Sequence, residues 1–413
     1  MRPSLMRVVA AVATAGTLFG ASACGSGFDD SGQVEQNSGP ANLTVLISTS
    51  GTADLNAVRD AANAWAARTG STVTVNPAND MNQQLSQGFA SGNPPDVFMV
   101  DATKFAAYAQ AGNLLPYGDS LPYKDDLYPT LRQTFTYQDQ LYCAPKDFST
   151  LALQINTDAW TRAGLTDADI PKTWEQLESV ARRLTTGGQT GLVFNDTRDR
   201  IGAFLTQAGG WVLSEDGKQA IADSPENAQA LEYVRKLLAE GVAKYPKQIG
   251  AGDGTETFGQ GKAAMTIEGN WMVGGMRSDY PDVKYRTVPL PAGPKGNGTL
   301  SFTQCWGIAA KSQYQQQAQD LVNALMTPQQ QIVFAEAFGV LPSRISARPE
   351  YVRKFPEQQA FLDGADYAHG PVTLPKMDPV LTAFDTGLQG LPEADPKQIL
   401  KQLQENATAA LGS

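Results

Sequence analysis

Histidine is almost absent from this 413-residue sequence: His369 is the only one, and cysteine is limited to Cys24, Cys143 and Cys305. No Gly-x-Ser-x-Gly elbow, His-Glu-x-x-His helix or phosphate-binding loop occurs, which removes the common serine hydrolases, zinc proteases and nucleotide hydrolases. An iron site built on paired Tyr or His ligands is disfavoured by the single histidine. Basic residues are in deficit as well. There are 32 Lys and Arg against 42 Asp and Glu, a formal net charge of −10, which argues against nucleic acid and against an anionic surface as partners. After the first 23 residues no segment is long and apolar enough to span a bilayer. Asp and Glu are common enough that the pair of carboxylates needed by a secreted glycosidase stays open as the alternative.

What is present begins with an export leader. Arg2 and Arg7 make a basic start, and Val8 to Ala23 is small and apolar, shorter than the ~20 residues of a membrane-spanning helix. The stretch ends in Ala21-Ser22-Ala23-Cys24. Small residues before a Cys, followed by Gly25 and Ser26, look like a lipoprotein cleavage site, so residues 1–23 are expected to be removed and Cys24 lipidated. The alternative is an ordinary secretory peptide cut after Ala23. Residues 24–40 then form a lipidated Cys and a Gly/Ser-rich tether that reaches about 50 Å when extended. With Cys24 taken by lipid, Cys143 and Cys305 are left as a disulfide pair or as two buried thiols.

From residue 41 the pattern alternates. Leu43 to Ile47 reads as a strand, Asp54 to Arg68 as a helix with Leu55, Val58, Ala62 and Trp65 on one face, and Thr72 to Val75 as a second strand. A helix over Met81 to Ala90 leads to Asp96–Val100, apolar on both faces as a buried parallel strand is. Phe105, Tyr108 and Ala109 then mark a helix that Gly112 is placed to end. This β-α-β-α-β order implies an α/β fold with a doubly wound parallel sheet. Asp101 sits at the carboxyl end of a strand, where open α/β sheets bind ligands. Its competing role is to cap the following helix.

Pro95-Asp96-Val97, followed by Phe105-x-x-Tyr108-Ala109-Gln110-x-Gly112-x-Leu114, resembles the first lobe of the maltose-binding protein and its relatives, the family 1 solute-binding proteins of carbohydrate ABC transporters. Further blocks follow in the family's order: Leu141 to Asn156, Pro171 to Leu177, Gly209-Gly210-Trp211, Phe258 to Met265 with Gly269-Asn270-Trp271, and Trp306-Gly307-Ile308-Ala309. The resemblance covers nearly everything from residue 41. It implies a two-lobe periplasmic-binding-protein fold of type II, each lobe carrying a mostly parallel sheet. The lobes would be discontinuous, 41–148 with 289–326 and 149–288 with 327–413. Three hinge crossings would lie near 146–151, 287–291 and 325–328. It further implies a monomeric receptor, tethered to the outer face of the cell membrane, that needs no cofactor and delivers its solute to the permease subunits of an importer. Cys143 and Cys305 would both lie in the first lobe beside the hinge.

A sugar offers hydroxyls at its edge and partly apolar C–H faces, so its receptor needs fixed polar groups and aromatic plates. Trp65, Trp160 and Trp174 lie on helical faces and are expected in cores. Trp271, within Gly-x-Trp, is the leading plate. Trp211 and Trp306, the latter with Gly307 at a hinge strand, are further candidates, each with packing as its alternative role. Asp101, Asn82 and Ser50 lie at equivalent sheet edges. Asp147 either faces the cleft or pairs with Lys146, and Arg344 either binds hydroxyls or braces the hinge. Compared with the family, Asp385 stands where a tryptophan follows Phe384's counterpart, and Val100 stands where an aromatic ends the strand. Two lost plates favour a mono- or disaccharide over long maltodextrins. A glycerophosphodiester in the same fold is the alternative ligand, and it would need clustered Arg or Lys in the cleft.

Overall fold

The computed structural model describes residues 36–49 and 52–412. The leader, Cys24, most of the tether and Ser50 lie outside the described residues. Among the described residues no helix is long and apolar enough to cross a membrane.

The chain opens as β1 (Asn42–Ile47), α1 (Thr52–Thr69), β2 (Thr72–Pro77), α2 (Met81–Ser91), β3 (Val97–Asp101) and α3 (Ala102–Gln110). β1 pairs in parallel with β2 and with β3. β3 is buried from Val97 to Val100 because helices cover both its faces. α1 buries Val58, Ala62, Trp65 and Ala66, a stripe at helical spacing. α4 (Pro129–Thr134) and a small hairpin, β4 (Thr136–Tyr137) with β5 (Gln140–Leu141), then lead into β6 (Ala144–Asn156), buried along its length except at Asn156.

The second lobe follows as α5 (Thr157–Arg162), α6 (Trp174–Leu184), β7 (Thr190–Val193), α7 (Arg198–Ala208), α8 (Pro225–Ala239), β8 (Ala243–Lys244), α9 (Gly254–Gly259), β9 (Ala263–Gly269), α10 (Met272–Asp279) and β10 (Tyr285–Val288). β7 is parallel to β8 and β9, whereas β9 and β10 run antiparallel to the end of β6. β11 (Thr299–Ile308) then returns, antiparallel to β6 and to β3. The rest is α11 (Gln315–Leu325), α12 (Pro328–Phe338), β12 (Leu341–Pro342), α13 (Arg348–Lys354), α14 (Gln359–Asp363), β13 (Ala368–His369), α15 (Met377–Gln389) and α16 (Pro396–Leu411).

Two large cores result, and β6 and β11 belong to both. Ala144 of β6 and Cys305, Trp306 and Ile308 of β11 pack with Val45, Phe98 and Phe105. Leu151, Leu153 and Ile155 of β6 and Leu300 of β11 pack with Trp174, Phe204, Leu381 and Leu403. A smaller cluster joins Phe148, Leu341, Tyr351 and Phe361 beneath them. The mixed α/β architecture read from the alternation is therefore present.

The crossings fall elsewhere than at two of the expected places. Val288 and Leu290 pack in the second core, so the chain returns along β11 and not over 287–291. Residues 325–328 join α11 to α12, and α12 lies along α1 with Phe334 in the first core. Pro289 and Pro291 look like a break in sequence, but lobe membership is decided by strand pairing many residues away.

Cys143, immediately before β6, and Cys305 of β11 are joined by a disulfide in the first core, with Cα atoms 5.8 Å apart. The bond closes a loop with a sequence separation of 162. Replacing both cysteines with Ser should therefore cost about 3–5 kcal/mol in the chain-entropy model, read from the denaturant midpoint. Mass spectrometry of non-reduced digests should recover the linked peptides; two freely alkylated thiols would refute the bridge.

Candidate functional site

A cavity of about 160 Å3 lies where the first lobe faces the second. Asp101 and Thr103 come from the first lobe, at the carboxyl end of β3. The second lobe contributes Arg198, Asp199, Gly202 and Leu205 of α7, then Trp211 and Val212, and Leu381 and Phe384 of α15. Leu300 to Thr303 of β11 form the floor, and His369 to Val372 form one side. α7 starts after β7, a parallel strand, so the rule that placed Asp101 in the site also places Arg198 and Asp199 there.

Glycines let this wall assemble. A Cβ on Gly202 would lie 3.1 Å from Leu300 and 3.5 Å from the Trp211 ring, so the bare position lets both approach α7. Just past the end of α7, Gly210 abuts Asn227, whose side-chain amide donates to the carbonyls of Trp211 (2.8 Å) and Ala222 (2.9 Å). Trp211 is thus held by its own backbone. Its ring meets His369 at 4.1 Å between centroids and 39° between planes, making an aromatic corner.

The polar edge is sparse. Asp101 caps α3, accepting from the Thr103 N–H at 2.8 Å and its hydroxyl at 2.6 Å, and it also lines the cavity. Both roles considered for it are therefore compatible. The backbone N–H of Arg198 donates to Asp385 at 2.7 Å and its guanidinium pairs with the same carboxylate. Burial raises the Asp385 pKa, and Arg198 opposes that shift. Ser301, on the β11 floor, is 3% exposed and its hydroxyl has no partner, a buried polar group next to the cavity. At the mouth, Lys104 of α3 pairs with Asp378 of α15, an ion pair from one lobe to the other.

Trp271 is 36% exposed just after β9. Its ring stands edge-on to Phe302 at 5.1 Å and 87°, and Phe302 lines the cavity. Trp271 therefore extends the cavity wall without lining it directly.

Other sequence candidates lie away from the cavity. Trp306 has no exposed surface and packs in the first core, where its position beside Cys305 leaves it no face to a cleft. Gly307 lies in the same core, and a Cβ there would come within 2.6 Å of Val100. Asp147 is buried and paired with Lys146, whose ammonium lies 4.1 Å over the Phe338 ring; burial raises the carboxyl's pKa against that pairing. Arg344 donates to Asp126 at 2.6 Å and to the Met326 carbonyl at 3.0 Å and stacks 4.4 Å over Tyr123, which makes it a brace. Asn82 is exposed at the start of α2 and does not line the cavity. Phe302, Ser301, His369 and Phe384 were not read from sequence as site residues.

The sequence matches the family described as bacterial extracellular solute-binding protein over residues 60–358. It is 25% identical over 353 residues to a diacetylchitobiose-binding protein of Streptomyces coelicolor, covering 82% of each chain. The fold superposes with a TM-score of 0.81 on the cyclic alpha-maltosyl-1,6-maltose binding protein of Arthrobacter globiformis, at 22% identity, over 90% of this chain and 99% of that one. It superposes with a TM-score of 0.76 on a Mycobacterium tuberculosis protein in complex with glycerophosphocholine, at 18% identity, over 91% of this chain and 99% of that one. At these identities the structural likeness is one of fold.

His369 offers a test of the cavity. His369 keeps exposed surface at the end of β13, and partial desolvation of its ring lowers its pKa, while the Gly370 carbonyl and Glu215 act in the other direction. The folded state thus resists a proton that the unfolded chain accepts near pH 6.5. The associated stability is present above that pH and is lost as pH falls through the lowered folded value. Melting temperatures of the wild type and His369→Gln, compared from pH 7.5 to 5, should diverge to the wild type's disadvantage at the acid end. A constant gap would show that the ring is not desolvated.

Proposed function

Since the chain belongs to the bacterial extracellular solute-binding proteins, we propose that it is the receptor of an ABC importer for a mono- or disaccharide, bound between the lobes and presented to a permease. The observation that carries this reading is the cavity itself. About 160 Å3 is close to the roughly 150 Å3 that accommodates a benzene-sized ring, so a single six-membered ring fits. Trp211 and His369 offer it an apolar corner, Leu205, Leu300 and Phe384 complete the wall, and Ser301 and Asp101 supply polar groups at the edge. Such a lining suits a neutral ring with C–H faces and few hydroxyl contacts. Trp271, beside Phe302, is the plate for a second ring. The diacetylchitobiose-binding relative handles a solute of that length.

Asp385 and Val100 set the length. Asp385 is engaged by Arg198 and Val100 is buried in the first core, so neither position offers a further plate. The glycerophosphodiester alternative lacks its counter-charge. A phosphate needs an uncommitted cation, whereas Arg198 is already paired with Asp385, and Asp101 and Asp199 share the cavity. Ligand enclosure would proceed by bending of the shared strands, and closure would form the surface that a permease reads. Cys24 serves as the lipid anchor, with the following tether holding the receptor at the outer face of the membrane.

A thermal-shift and calorimetric screen of mono- and disaccharides should find at least one that stabilises the protein. Trp271→Ala and Trp211→Ala should each weaken that sugar by about 2–4 kcal/mol, roughly 30- to 1,000-fold, with the unfolding midpoint nearly unchanged. A destabilised variant that binds normally would return the ring to the core, and hydrolysis of the sugar by purified protein would sink the receptor reading.

Replacing Cys24 with Ser should release the protein from membranes or leave its precursor uncut. Normal processing with retention on the membrane would remove Cys24 as the anchor.

A further inference from the structure

Beneath Trp271 lies a buried ion pair that the cavity does not touch. Glu268, at the end of β9, is 1% exposed, and Arg200, in the first turns of α7, is 8% exposed. Arg200 Nη2 donates to Glu268 Oε2 at 2.6 Å. The same oxygen accepts the Trp271 indole N–H at 3.1 Å. The Arg200 guanidinium carbon lies 4.9 Å from the centre of the Trp271 ring, so the cation sits on the indole face. One carboxylate oxygen and one guanidinium thus hold the indole by its edge and by its plane.

The surroundings are shaped to allow this. A Cβ on Gly269 would lie 2.3 Å from the Trp271 ring, so only glycine lets the indole fold back over the end of β9. A Cβ on Gly254 would lie 2.5 Å from Glu268 Oε1, so the first residue of α9 is likewise bare where the carboxylate sits. The Glu268 backbone N–H is fixed by the Gln154 side chain of β6 at 3.1 Å. Stability alone gives little reason for such a pair, since a buried ion pair can often be replaced by apolar side chains without loss. What apolar residues could not do is grip an indole by its N–H and its face together.

We propose that Glu268 and Arg200 are positioning residues that fix the plane of Trp271 as a sugar-stacking plate. The role rests on the sugar reading of the cleft, and the orientation of the ring can be tested apart from it. A preset plate binds more tightly than a mobile one because its rotamer freedom is already lost before the ligand arrives.

The full chain labelled with 5-fluorotryptophan provides the readout, the Trp271 fluorine signal being assigned by its loss in Trp271→Phe. The wild type should give one narrow Trp271 signal. Glu268→Ala should broaden or split it, and Glu268→Gln, which keeps an acceptor for the indole N–H, should restore it. The probe sugar is whichever of diacetylchitobiose, lactose and maltose binds the wild type most tightly. Glu268→Ala should weaken it roughly 10- to 100-fold, the loss of one hydrogen bond to a charged group. In a Trp271→Ala background the same change should cost less than about twofold, because the residue acts through the ring. Additive losses, or an unaltered Trp271 signal in Glu268→Ala, would overturn the proposal. Should Glu268→Ala not fold, Arg200→Met/Glu268→Leu removes both charges together and should broaden the same signal; an unaltered signal there overturns the proposal equally. If none of the three sugars binds the wild type, the affinity comparison passes to the mono- or disaccharide found by the wider screen, and the fluorine signal still decides whether the pair fixes the ring.

Discussion

β6 and β11 run antiparallel to each other, and each carries residues of both large cores. Every other feature depends on that pairing. The first sheet ends on these strands through β3, and the second begins on them through β9. Their shared middle forms the floor of the cavity, at Leu300 to Thr303. The register between them shifts at Gln304 and Cys305, and an irregularity of this kind concentrates twist and bending at one place. The disulfide ties the same two strands on the first-lobe side of that shift. One end of the pair is thereby tied covalently, whereas the end beneath the second lobe is held by strand pairing alone.

Charge is used in a consistent way around the cleft. The chain is acidic overall, yet the cations near the cavity are nearly all engaged by carboxylates: Arg198 by Asp385, Arg200 by Glu268 and Lys104 by Asp378. Those pairs sit at the rim or beneath the wall, whose lining between them is mostly apolar, with Leu205, Leu300, Phe302 and Phe384. A neutral solute with C–H faces meets little desolvation cost there, whereas an anion would have to compete for a guanidinium already taken. The Lys104–Asp378 pair is partly exposed and holds the lobes together only weakly, as surface pairs do.

Local pattern was enough for much of the fold. Val97 to Val100 announced a buried strand because both its faces are apolar, and Trp65, Trp160 and Trp174 announced cores because they share helical faces with other apolar residues. Asp101 was legible from its place at a strand end. Trp306 was not, since an apolar strand reads alike whether it ends in a core or at a cleft; the neighbours that enclose it come from α11 and from the first three strands. The crossings were misplaced for the same reason. Pro289 and Pro291 mark a local break, but which lobe a segment joins is set by its distant partners. Ser301 and Phe302 sit on β11, and only the pairing with β6 brings that stretch of the strand to the cavity. His369 stood out as the single histidine; its meeting with Trp211 depends on a parallel pairing of β13 with β11.

The interleaving of the two cores also governs when the protein can fold. The first sheet needs β11 beside β3, and the first core needs α11 and α12 as well. The second core, begun by Leu151, is finished only by Leu400 and Leu403 near the carboxyl terminus. Neither half can therefore close around its own apolar residues while the chain is still emerging. Contacts of such long sequence separation slow the onset of folding. For a polypeptide threaded through a membrane, that delay is useful: the architecture keeps the chain open until nearly all of it has reached the side on which it works.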